Sequence, residues 1–452
     1  MRAKQIWVPV LALGAALASG CDDKNFFTNV DLAPGGMLKV GGGVNGEMID
    51  PDGRLTDPGN AALVAEGQRV FRFETFGDER QWTDALQLHK VVEAALTPAL
   101  ALQLGFKVDM DALPAAVVEG VVNGDIPLDD PQTTLALISL NAVVGVQGKV
   151  SEGTDGKLHL DTLGITCALC HSTVDDAAEP IVGVKGIGHR LDGWPNRDFD
   201  PGAVIALSPA ISGNRAVADY YNSWGAGMFD PRVNHDGMID ASGGYPVVIP
   251  PAFGLDGMDS VVFNGDGNEI AYWNRYVAVT EMGGVGHFAD NRLRNAEGGV
   301  VVTDNKCTES VPNCKPDMVT EHLPALQAYQ RSLVAPKAPE GSFDVAMADQ
   351  GKALFNGKAQ CSTCHFGDKL SDGNVRLHPK EASVAARTGY LDRSGSRLWR
   401  TTPLAGIWQH PPYFHDGSAA TLGDVVDAYD TRLTLNLSGD EKSQLVEYLK
   451  SL

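Results

Sequence analysis

Two short segments of this chain carry residue types that can attach a cofactor covalently. Residues 167–171 read Cys-Ala-Leu-Cys-His and residues 361–365 read Cys-Ser-Thr-Cys-His, in a chain with only seven cysteines. Two thiols at this spacing can add to the two vinyl groups of one haem, and the following imidazole can then bind the iron. A redox-active dithiol or half of a zinc site would use the same spacing. Because the pattern occurs twice with its histidine, we predict two covalent c-type haems with His171 and His365 as proximal ligands.

The beginning of the chain has the pattern of an export signal followed by a lipid attachment site. A positively charged start and an apolar run over residues 6–17 lead through small residues to Cys21. The run is too short to span a bilayer, and small residues directly before a cysteine resemble the lipobox of bacterial lipoproteins. We expect residues 1–20 to be removed, Cys21 to carry a lipid and residues 21–60 to form a flexible tether. The alternative is an ordinary signal peptide with an incidental cysteine. Either way, the expected location is the bacterial cell envelope, in the periplasm, with a membrane anchor in the first case.

Two further features of the composition concern partners and cross-links. The formal net charge is −21, which argues against nucleic acid as a partner, since phosphate backbones are bound by lysine and arginine surfaces. Cys307 and Cys314 lie in a polar loop with turn residues and no adjacent histidine or further cysteine. In an exported protein this arrangement favours a disulfide over a metal site.

The remaining pattern predicts a mainly α fold with few short strands and two cytochrome c-like haem domains. Residues 61–335 would form an enlarged N-terminal haem domain with an additional helical block, and residues 336–452 the C-terminal cytochrome c domain. A helix over residues 347–355 leads into the second Cys-x-x-Cys-His, and a capping box at residues 438–441 precedes a terminal helix. Within the additional block, residues 149–165 alternate in polarity as a short hairpin does.

The ligand on the other side of each iron decides between an electron carrier and an enzyme. No methionine follows His365 in the chain, so the second haem cannot take a methionine from its own domain. The histidines and the tyrosine available there are His378, His410, His415 and Tyr429. For the first haem, His189 follows in a glycine-rich stretch and is equally compatible with a surface position and with a ligand.

The segment from Arg400 to Tyr429 resembles the C-terminal half of bacterial di-haem cytochrome c peroxidases. It contains Pro-Tyr-Phe-His-Asp-Gly followed by Ser-Ala-Ala-Thr-Leu, a long and specific string. The family's methionine ligand corresponds to Tyr429 here, and a relative, the methylamine-dehydrogenase maturation enzyme, uses a tyrosine in this way. The resemblance therefore implies Tyr429 as the ligand of the second haem, with His378 as the alternative. A tyrosine that merely packs at this position is the remaining possibility.

The resemblance extends less evenly into the N-terminal half. Residues 187–196 are similar to the stretch that carries the distal histidine of the peroxidatic haem and an asparagine of an interdomain calcium site. This implies His189 as the distal ligand and Asn196 as a calcium ligand, joined by the backbone carbonyls of His410 and Pro412.

Two more residues are implied by the same resemblance. Thr280-Glu281-Met282-Gly283 resembles the family segment whose glutamate is the acid and base at the peroxide site. Trp224 corresponds to the tryptophan that lies between the haems. The separation of Trp224 and Glu281 along the chain is longer than in the family. Residues 60–165 have no counterpart in these peroxidases. The large N-terminal extension is similar to that of rubber oxygenases, whose N-terminal haem binds dioxygen.

Together these features favour an exported enzyme that reduces hydrogen peroxide at the N-terminal haem with electrons relayed by the C-terminal haem. The donor would be a small cytochrome c or cupredoxin, or a quinol-linked protein. One alternative is an oxygenase or protein-modifying oxidase of the same superfamily, which a tyrosine ligand favours. The other is a lipid-anchored di-haem electron carrier with both irons six-coordinate.

Overall fold

The computed structural model describes residues 59–230, 246–267, 269–294, 300–387 and 394–452. The predicted signal peptide, the lipid site at Cys21 and nearly all of the predicted tether lie outside these ranges. No helix among the described residues is long and apolar enough to cross a membrane.

The described part of the chain is mainly helical, as predicted. Its helices are α1 (Ala61–Phe73), α2 (Leu88–Ala95), α3 (Pro98–Gln103), α4 (Ala115–Asn123), α5 (Pro131–Ser139), α6 (Ala168–His171), α7 (Glu179–Val182), α8 (Pro201–Ala206), α9 (Pro209–Ser212), α10 (Arg215–Asn222), α11 (Ile270–Tyr276), α12 (Leu323–Ser332), α13 (Val345–Asn356), α14 (Leu422–Leu433) and α15 (Gly439–Lys450). Two π-helices, Arg80–Ala85 and Val277–Glu281, and several short 3-10 turns complete the helical structure.

The strands are short and form two-stranded pairs. They are β1 (Val108–Asp109), β2 (Val146–Glu152), β3 (Leu158–Ile165), β4 (Ser172–Val174), β5 (Ile187–Gly188), β6 (Arg190–Asp192), β7 (Met228–Phe229), β8 (Val247–Val248), β9 (Gly286–Arg294) and β10 (Val300–Asn305). β1 pairs with β5 in parallel, whereas β2 with β3, β4 with β6, β7 with β8 and β9 with β10 are antiparallel. The β2–β3 pair confirms the hairpin predicted over residues 149–165.

The helices predicted around the second Cys-x-x-Cys-His are confirmed. α13 covers the predicted helix over 347–355, and the Asp344 side chain accepts a hydrogen bond from the Met347 amide at its start. α15 begins with the predicted capping box. The side chain of Ser438 accepts a hydrogen bond from the backbone amide of Glu441, and the side chain of Glu441 accepts one from the backbone amide of Ser438. These local caps satisfy amide groups that would otherwise lack partners in the first turn.

Two helix pairs in different parts of the chain share one type of contact. In the pair α1–α12, a Cβ atom on Gly67 would lie 1.9 Å from the carbonyl oxygen of Ala325. In the pair α13–α15, a Cβ atom on Gly351 would lie 2.0 Å from the carbonyl oxygen of Gln444. Each glycine therefore lets two helix backbones touch, and any larger residue would force them apart.

Each of the two helix pairs also contains an aromatic contact near its glycine. Phe71 of α1 meets Tyr329 of α12 edge to face with ring centroids 5.4 Å apart. Phe355 of α13 meets Tyr448 of α15 in the same way at 5.1 Å. Such arrangements are favourable beyond the apolar area they bury. The two halves of the chain thus contain matching helix crossings.

The additional block differs from the continuous helical pattern that residues 82–104 suggest. The chain forms the π-helix to Ala85, then α2, then α3. Gln87 has a left-handed backbone with φ of 54°, and Pro98 occupies the first turn of α3. Both positions interrupt a single helix, because proline lacks an amide hydrogen and left-handed residues do not continue a right-handed helix.

The loop that follows β10 is cross-linked. Cys307 and Cys314 form a disulfide with a Cα–Cα distance of 5.7 Å. The Asp84 carboxylate accepts hydrogen bonds from Thr308 and Ser310 of this loop, which joins it to the additional block.

Candidate active site

Both Cys-x-x-Cys-His segments open into the same cavity. The cavity has a volume of about 1570 Å³, and its walls include Cys167, Cys170 and His171 (the first site) as well as Cys361, Cys364 and His365 (the second site). Most other wall residues are apolar and come from all parts of the chain, including the additional block. A space of this size between two pairs of thiols is consistent with bulky, flat prosthetic groups.

The first site is built on a single turn of helix. Cys167 precedes α6, and the His171 amide donates back to the Cys167 carbonyl oxygen at 3.1 Å. His171 Nδ1 lies 3.0 Å from the carbonyl oxygen of Pro250. Because a carbonyl can only accept, Nδ1 carries the hydrogen and Nε2 keeps a lone pair for a metal. Burial lowers the pKa of His171 to about 4, so the ring is neutral at physiological pH.

The second site repeats this geometry with different residues. The His365 amide donates to the Cys361 carbonyl oxygen at 2.9 Å, and His365 Nδ1 lies 2.9 Å from the carbonyl oxygen of Leu370. Burial lowers the pKa of His365 as well. Both imidazoles are thus fixed in the tautomer in which Nε2 can bind iron.

The thiols do not have the properties of a dithiol redox centre or of zinc ligands. The structure leaves all four as free cysteines. Burial raises the pKa of Cys167 and Cys170 to about 12 and that of Cys361 to about 11, whereas redox-active thiols have a lowered pKa. Neither site forms a compact ligand set with its own histidine among the described residues. The four sulfur atoms and two imidazoles therefore fit covalent haem attachment better than the other two chemistries.

One compact ligand set does exist beside the second site. One ligand atom each from Cys364, Asp372 and His378 lie within 4.8 Å of one another. His378 Nε2 is 3.0 Å from Asp372 Oδ2, and Asp372 also accepts from Arg376 at 2.6 Å. Since Cys364 belongs to the second Cys-x-x-Cys-His, we interpret this group as a hydrogen-bonded support of that site.

Glu281 lies in the wall of the cavity. It is the last residue of the π-helix Val277–Glu281, which continues α11, and only 4% of its surface is exposed. Trp273, Tyr276 and Val277 line the cavity from the same helical segment. A carboxylate in such an apolar wall is placed to exchange protons with a small molecule in the cavity.

The additional N-terminal block contacts the turn that follows Glu281. Arg80 Nη1 donates to the Gly283 carbonyl oxygen at 3.2 Å, and the Val285 amide donates to the Phe76 carbonyl oxygen at 2.7 Å. Gly283 has φ of +84°, and a Cβ atom there would lie 2.6 Å from Cβ of Gln81. The sequence did not assign a role to this block; in the structure it holds the turn that positions Glu281.

Tyr429 also lines the cavity, from α14. Burial raises the pKa of its phenol well above the ordinary value, and Cys361 and Cys364 contribute to this shift. The phenol is therefore near both thiols of the second site. His378, the alternative ligand, lines the cavity too, but its Nε2 is engaged with Asp372.

Two predicted residues are not brought to the cavity. The His189 side chain is 51% exposed and its Nδ1 lies 2.9 Å from Asp111 Oδ1, so it is held at the surface by an ion pair. Trp224 is buried at 3% exposure in an aromatic cluster with Tyr220, Tyr221 and Phe229. Neither residue is part of the cavity wall. The structure gives no support to His189 as a distal ligand or to Trp224 as a residue between the two sites.

The residues of the expected calcium site are placed in both halves of the chain. Asn196 is 1% exposed, and its Nδ2 donates to the carbonyl oxygens of Gly105 and Leu169 at 3.0 and 3.3 Å. Its Oδ1 is enclosed and meets no hydrogen-bond donor in the part of the chain that the structure describes. His410 and Pro412 line the cavity, and the peptide bond between Pro411 and Pro412 is cis. An enclosed amide oxygen without a donor fits a hard cation.

The known proteins to which the chain is similar include cytochrome c peroxidases. No protein-family model matches the chain. The methylamine utilization protein MauG of Methylorubrum extorquens is 29% identical over 319 residues, which are 62% of this chain and 87% of that protein. The cytochrome c551 peroxidase of Nitrosomonas europaea is 31% identical over 145 residues, 28% of this chain and 42% of that protein. The cytochrome-c peroxidase IdrP2 of Denitromonas iodatirespirans is 28% identical over 169 residues, 27% of this chain and 46% of that protein.

These relatives are of one kind. The chain is similar to MauG and to cytochrome c peroxidases, in agreement with the resemblance to di-haem cytochrome c peroxidases that its motifs carry. It spans less than half of the length of the two peroxidases but most of the length of MauG. These relatives support a peroxidase-like oxidoreductase and imply haem c as its cofactor.

Proposed function

We propose that this protein is an exported di-haem c-type oxidoreductase that reduces hydrogen peroxide at the first site with electrons relayed by the second. The observation that carries the proposal is the single cavity, whose wall contains both Cys-x-x-Cys-His units and the buried carboxylate of Glu281. In this reading Cys167, Cys170 and His171 hold one haem, and Cys361, Cys364 and His365 hold the other. The two matching helix crossings are those of two cytochrome c-like domains, over residues 61–335 and 336–452.

Haem attached in this way supplies an iron that exchanges single electrons and that can bind a peroxide at an open coordination position. The chain supplies the rest. The carbonyls of Pro250 and Leu370 keep the two imidazoles neutral and oriented. The apolar wall around Trp273 and Tyr276 limits the water near Glu281.

Glu281 is the proposed proton carrier. Its carboxylate takes the proton from the near oxygen of hydrogen peroxide and returns it to the departing oxygen, which then leaves as water rather than as hydroxide. Acid–base assistance of this kind contributes a factor of about 10² to 10⁴ in rate. The turn at Gly283, held by Arg80, fixes the position from which the carboxylate acts.

Replacing Glu281 tests the proposal directly. We expect Glu281→Gln to retain two haems per chain and to lose a factor of about 10² or more in peroxide turnover. The measurement is steady-state peroxide reduction with a reduced artificial donor, together with haem quantification.

Glu269→Gln is the matched control. Glu269 is also buried, at 8% exposure, and lies at the start of the same helix α11, but it is not part of the cavity wall. Full turnover in Glu281→Gln would remove this residue from the mechanism. Equal losses in both variants would point to a general effect on folding instead.

Oxidation of an organic molecule or of another protein is a second candidate function. Tyr429 favours it, because a phenolate ligand stabilises oxidised iron more strongly than the methionine of a typical electron-accepting haem does. The long match to MauG is consistent with this alternative. Peroxide consumption that depends on an added organic substrate, rather than on an electron donor, would favour it.

The electron-carrier alternative makes a different spectroscopic prediction. Two six-coordinate irons would give two low-spin signals in the electron paramagnetic resonance spectrum of the oxidised protein, and cyanide would not change them. One high-spin and one low-spin signal would support the enzyme.

The proposed partners follow from this function. They are hydrogen peroxide and a small donor of the cytochrome c, cupredoxin or quinol-linked type. We also propose a periplasmic location with a lipid on Cys21, and one calcium ion held by Asn196 Oδ1 and the carbonyls of His410 and Pro412. The enclosed Oδ1 of Asn196 supports the calcium site.

A further inference from the structure

Two arginines line the cavity and have no acidic partner within the described ranges. The Arg197 guanidinium has no hydrogen-bond acceptor among the described residues, and its Nε and Nη1 are enclosed. Arg400 donates from Nη1 to the carbonyl oxygen of Ser260 at 2.9 Å, while its enclosed Nε has no acceptor. Burial lowers the pKa of each to about 10, which still leaves both charged at neutral pH. A charged group that has lost water needs an opposite charge nearby.

Other arginines in the interior of this protein have such a charge. Arg190 Nε lies 3.0 Å from Asp109 Oδ2, and both side chains are at most 10% exposed. Arg72 Nε lies 2.6 Å from Asp192 Oδ2. Arg292 likewise pairs with Asp290 at 2.5 Å. The two cavity arginines depart from this pattern, so the missing charges are expected inside the cavity.

Each of the two arginines lies beside one proximal histidine. The backbone amide of Asn196, directly before Arg197 in the chain, donates to the carbonyl oxygen of Cys170 at 2.8 Å, so Arg197 lies next to the first site. Arg400 packs against Gly373. The carbonyl oxygen of Thr401, directly after Arg400, accepts a hydrogen bond from Ser371, which follows the Leu370 that binds His365. The two charges are thus distributed one to each site.

We propose that Arg197 and Arg400 bind carboxylates brought into the cavity by the cofactors, namely the propionate groups of the two haems, one arginine for each haem. A guanidinium offers parallel N–H groups that match the two oxygens of a carboxylate. A small organic acid from solution has the same chemistry, and the experiment below distinguishes it. The inference rests on the haem attachment of the proposed function and is independent of peroxide as the substrate.

The test uses the mature di-haem protein and measures the midpoint potential of each haem. A nearby cation disfavours the ferric state, so its loss should lower the potential. We expect Arg197→Gln to change the ferrous-to-ferric ratio of the first haem at least tenfold, which is about 59 mV for one electron. Arg400→Gln should do the same for the second haem, and each variant should leave the other haem almost unchanged.

Arg215→Gln is the control, because it removes the same charge from a side chain that is 93% exposed on α10. Resonance Raman spectra of the propionate bending modes provide a second readout, which should shift in Arg197→Lys and Arg400→Lys even where the potential does not. Lysine keeps the charge but lacks the parallel donors. The lysine variants can replace a glutamine variant in the test if that glutamine variant does not incorporate both haems.

Three outcomes would overturn the proposal. The first is unchanged potentials in both glutamine variants. The second is unshifted propionate bands in lysine variants that retain both haems. The third is a saturable effect of added acetate on the wild-type spectrum that is absent from the glutamine variants, because it would assign the arginines to a carboxylate from solution. The haem attachment itself is tested separately: Cys167→Ala should impair covalent attachment of the first haem and Cys361→Ala that of the second, and two fully attached haems in both variants would contradict it.

Discussion

At the scale of single residues, the hydrogen bonds of the two proximal histidines prepare the sites for metal binding. Pro250 and Leu370 each offer one carbonyl oxygen to Nδ1, which leaves Nε2 as the ligand atom. Burial keeps both rings neutral, so iron does not compete with a proton for the nitrogen near neutral pH. Neither site therefore has to change protonation before it can bind iron.

Tyr429 carries a prediction at the same scale. If its phenol is the sixth ligand of the second haem, Tyr429→Met should raise the midpoint potential of that haem, since a thioether favours ferrous iron. We expect more than a tenfold change in the ferrous-to-ferric ratio, equivalent to about 59 mV. Redox titration followed by visible spectroscopy measures this change.

Tyr448→Phe is the control for this substitution. Tyr448 is a buried tyrosine of the same half, at 7% exposure, but it lies outside the cavity wall. If Tyr429→Met and Tyr448→Phe leave the potential equally unchanged, Tyr429 packs in the wall and is not a ligand.

Single residues also show which positions could be expected from the sequence. The Cys-x-x-Cys-His units, Glu281 and Tyr429 lie in short motifs, and the structure places all of them on one cavity. His189 and Trp224 were assigned by correspondence with a family that lacks the additional block, and the structure places both elsewhere. Arg197 and Arg400 carry no motif, because an unpaired guanidinium is recognised only when its neighbours in space are known.

At the scale of elements, the segment that carries Glu281 is a π-helix, and a second π-helix is hydrogen-bonded to the turn that follows it. Arg80, at the start of one, donates to the turn that follows the other. Asn305 of β10 holds the same segment by donating to the carbonyl oxygens of Val279 and Gly284 at 2.7 and 2.9 Å. π-helices are rare and are frequent at functional sites. The additional block and the β9–β10 hairpin therefore restrain the segment that carries Glu281.

Substitution of Gly283 tests this positioning role. In Gly283→Ala the new Cβ would meet Cβ of Gln81 at 2.6 Å, so the turn after Glu281 must move. A displacement of about 1 Å can cost about 10²-fold in rate. We expect peroxide turnover to fall by this order while the haem content stays the same, and the pH profile of turnover to change because Glu281 has moved.

The control for this variant is Gly156→Ala. Gly156 has φ of +74°, similar to Gly283, but nothing lies within 4 Å of an added Cβ atom. Both variants incur the left-handed backbone cost of about 1–2 kcal/mol. Equal turnover in the two proteins would exclude the positioning role of the turn.

Elements could be predicted where the residues that determine them lie within the element itself. α13 and α15 could be predicted because their caps and apolar spacing lie within the helices themselves. The α1–α12 crossing depends on residues far apart in the chain, and was not predicted. Its one local sign is Gly67 followed four residues later by Phe71, which repeats as Gly351 and Phe355.

At the scale of the whole molecule, Asn196 and the His410–Pro412 loop would bring a calcium ion between the two halves. We expect a chelator to lower the melting temperature of the wild-type protein. An ion present at 100 times its dissociation constant stabilises the folded state by about 2.7 kcal/mol. Asn196→Ala should melt at the lower temperature with or without the chelator.

Asn264→Ala is a suitable control, because Asn264 is equally buried at 1% exposure and its side chain contacts Asp266 rather than the proposed ion. It should remain sensitive to the chelator. A wild-type protein whose melting is unaffected by the chelator would contradict the calcium site.

The two helix crossings differ in the length of chain that separates their partners. Gln68 of α1 donates to Tyr329 of α12 across 261 residues, whereas Gln444 of α15 donates to Gln350 of α13 across 94. Contacts between distant residues form more slowly than those between near ones. If the chain is exported and carries haem as proposed, the first pair of thiols emerges long before α12 can pack over it. We therefore expect haem attachment to have more time at Cys167 and Cys170 than at the second pair.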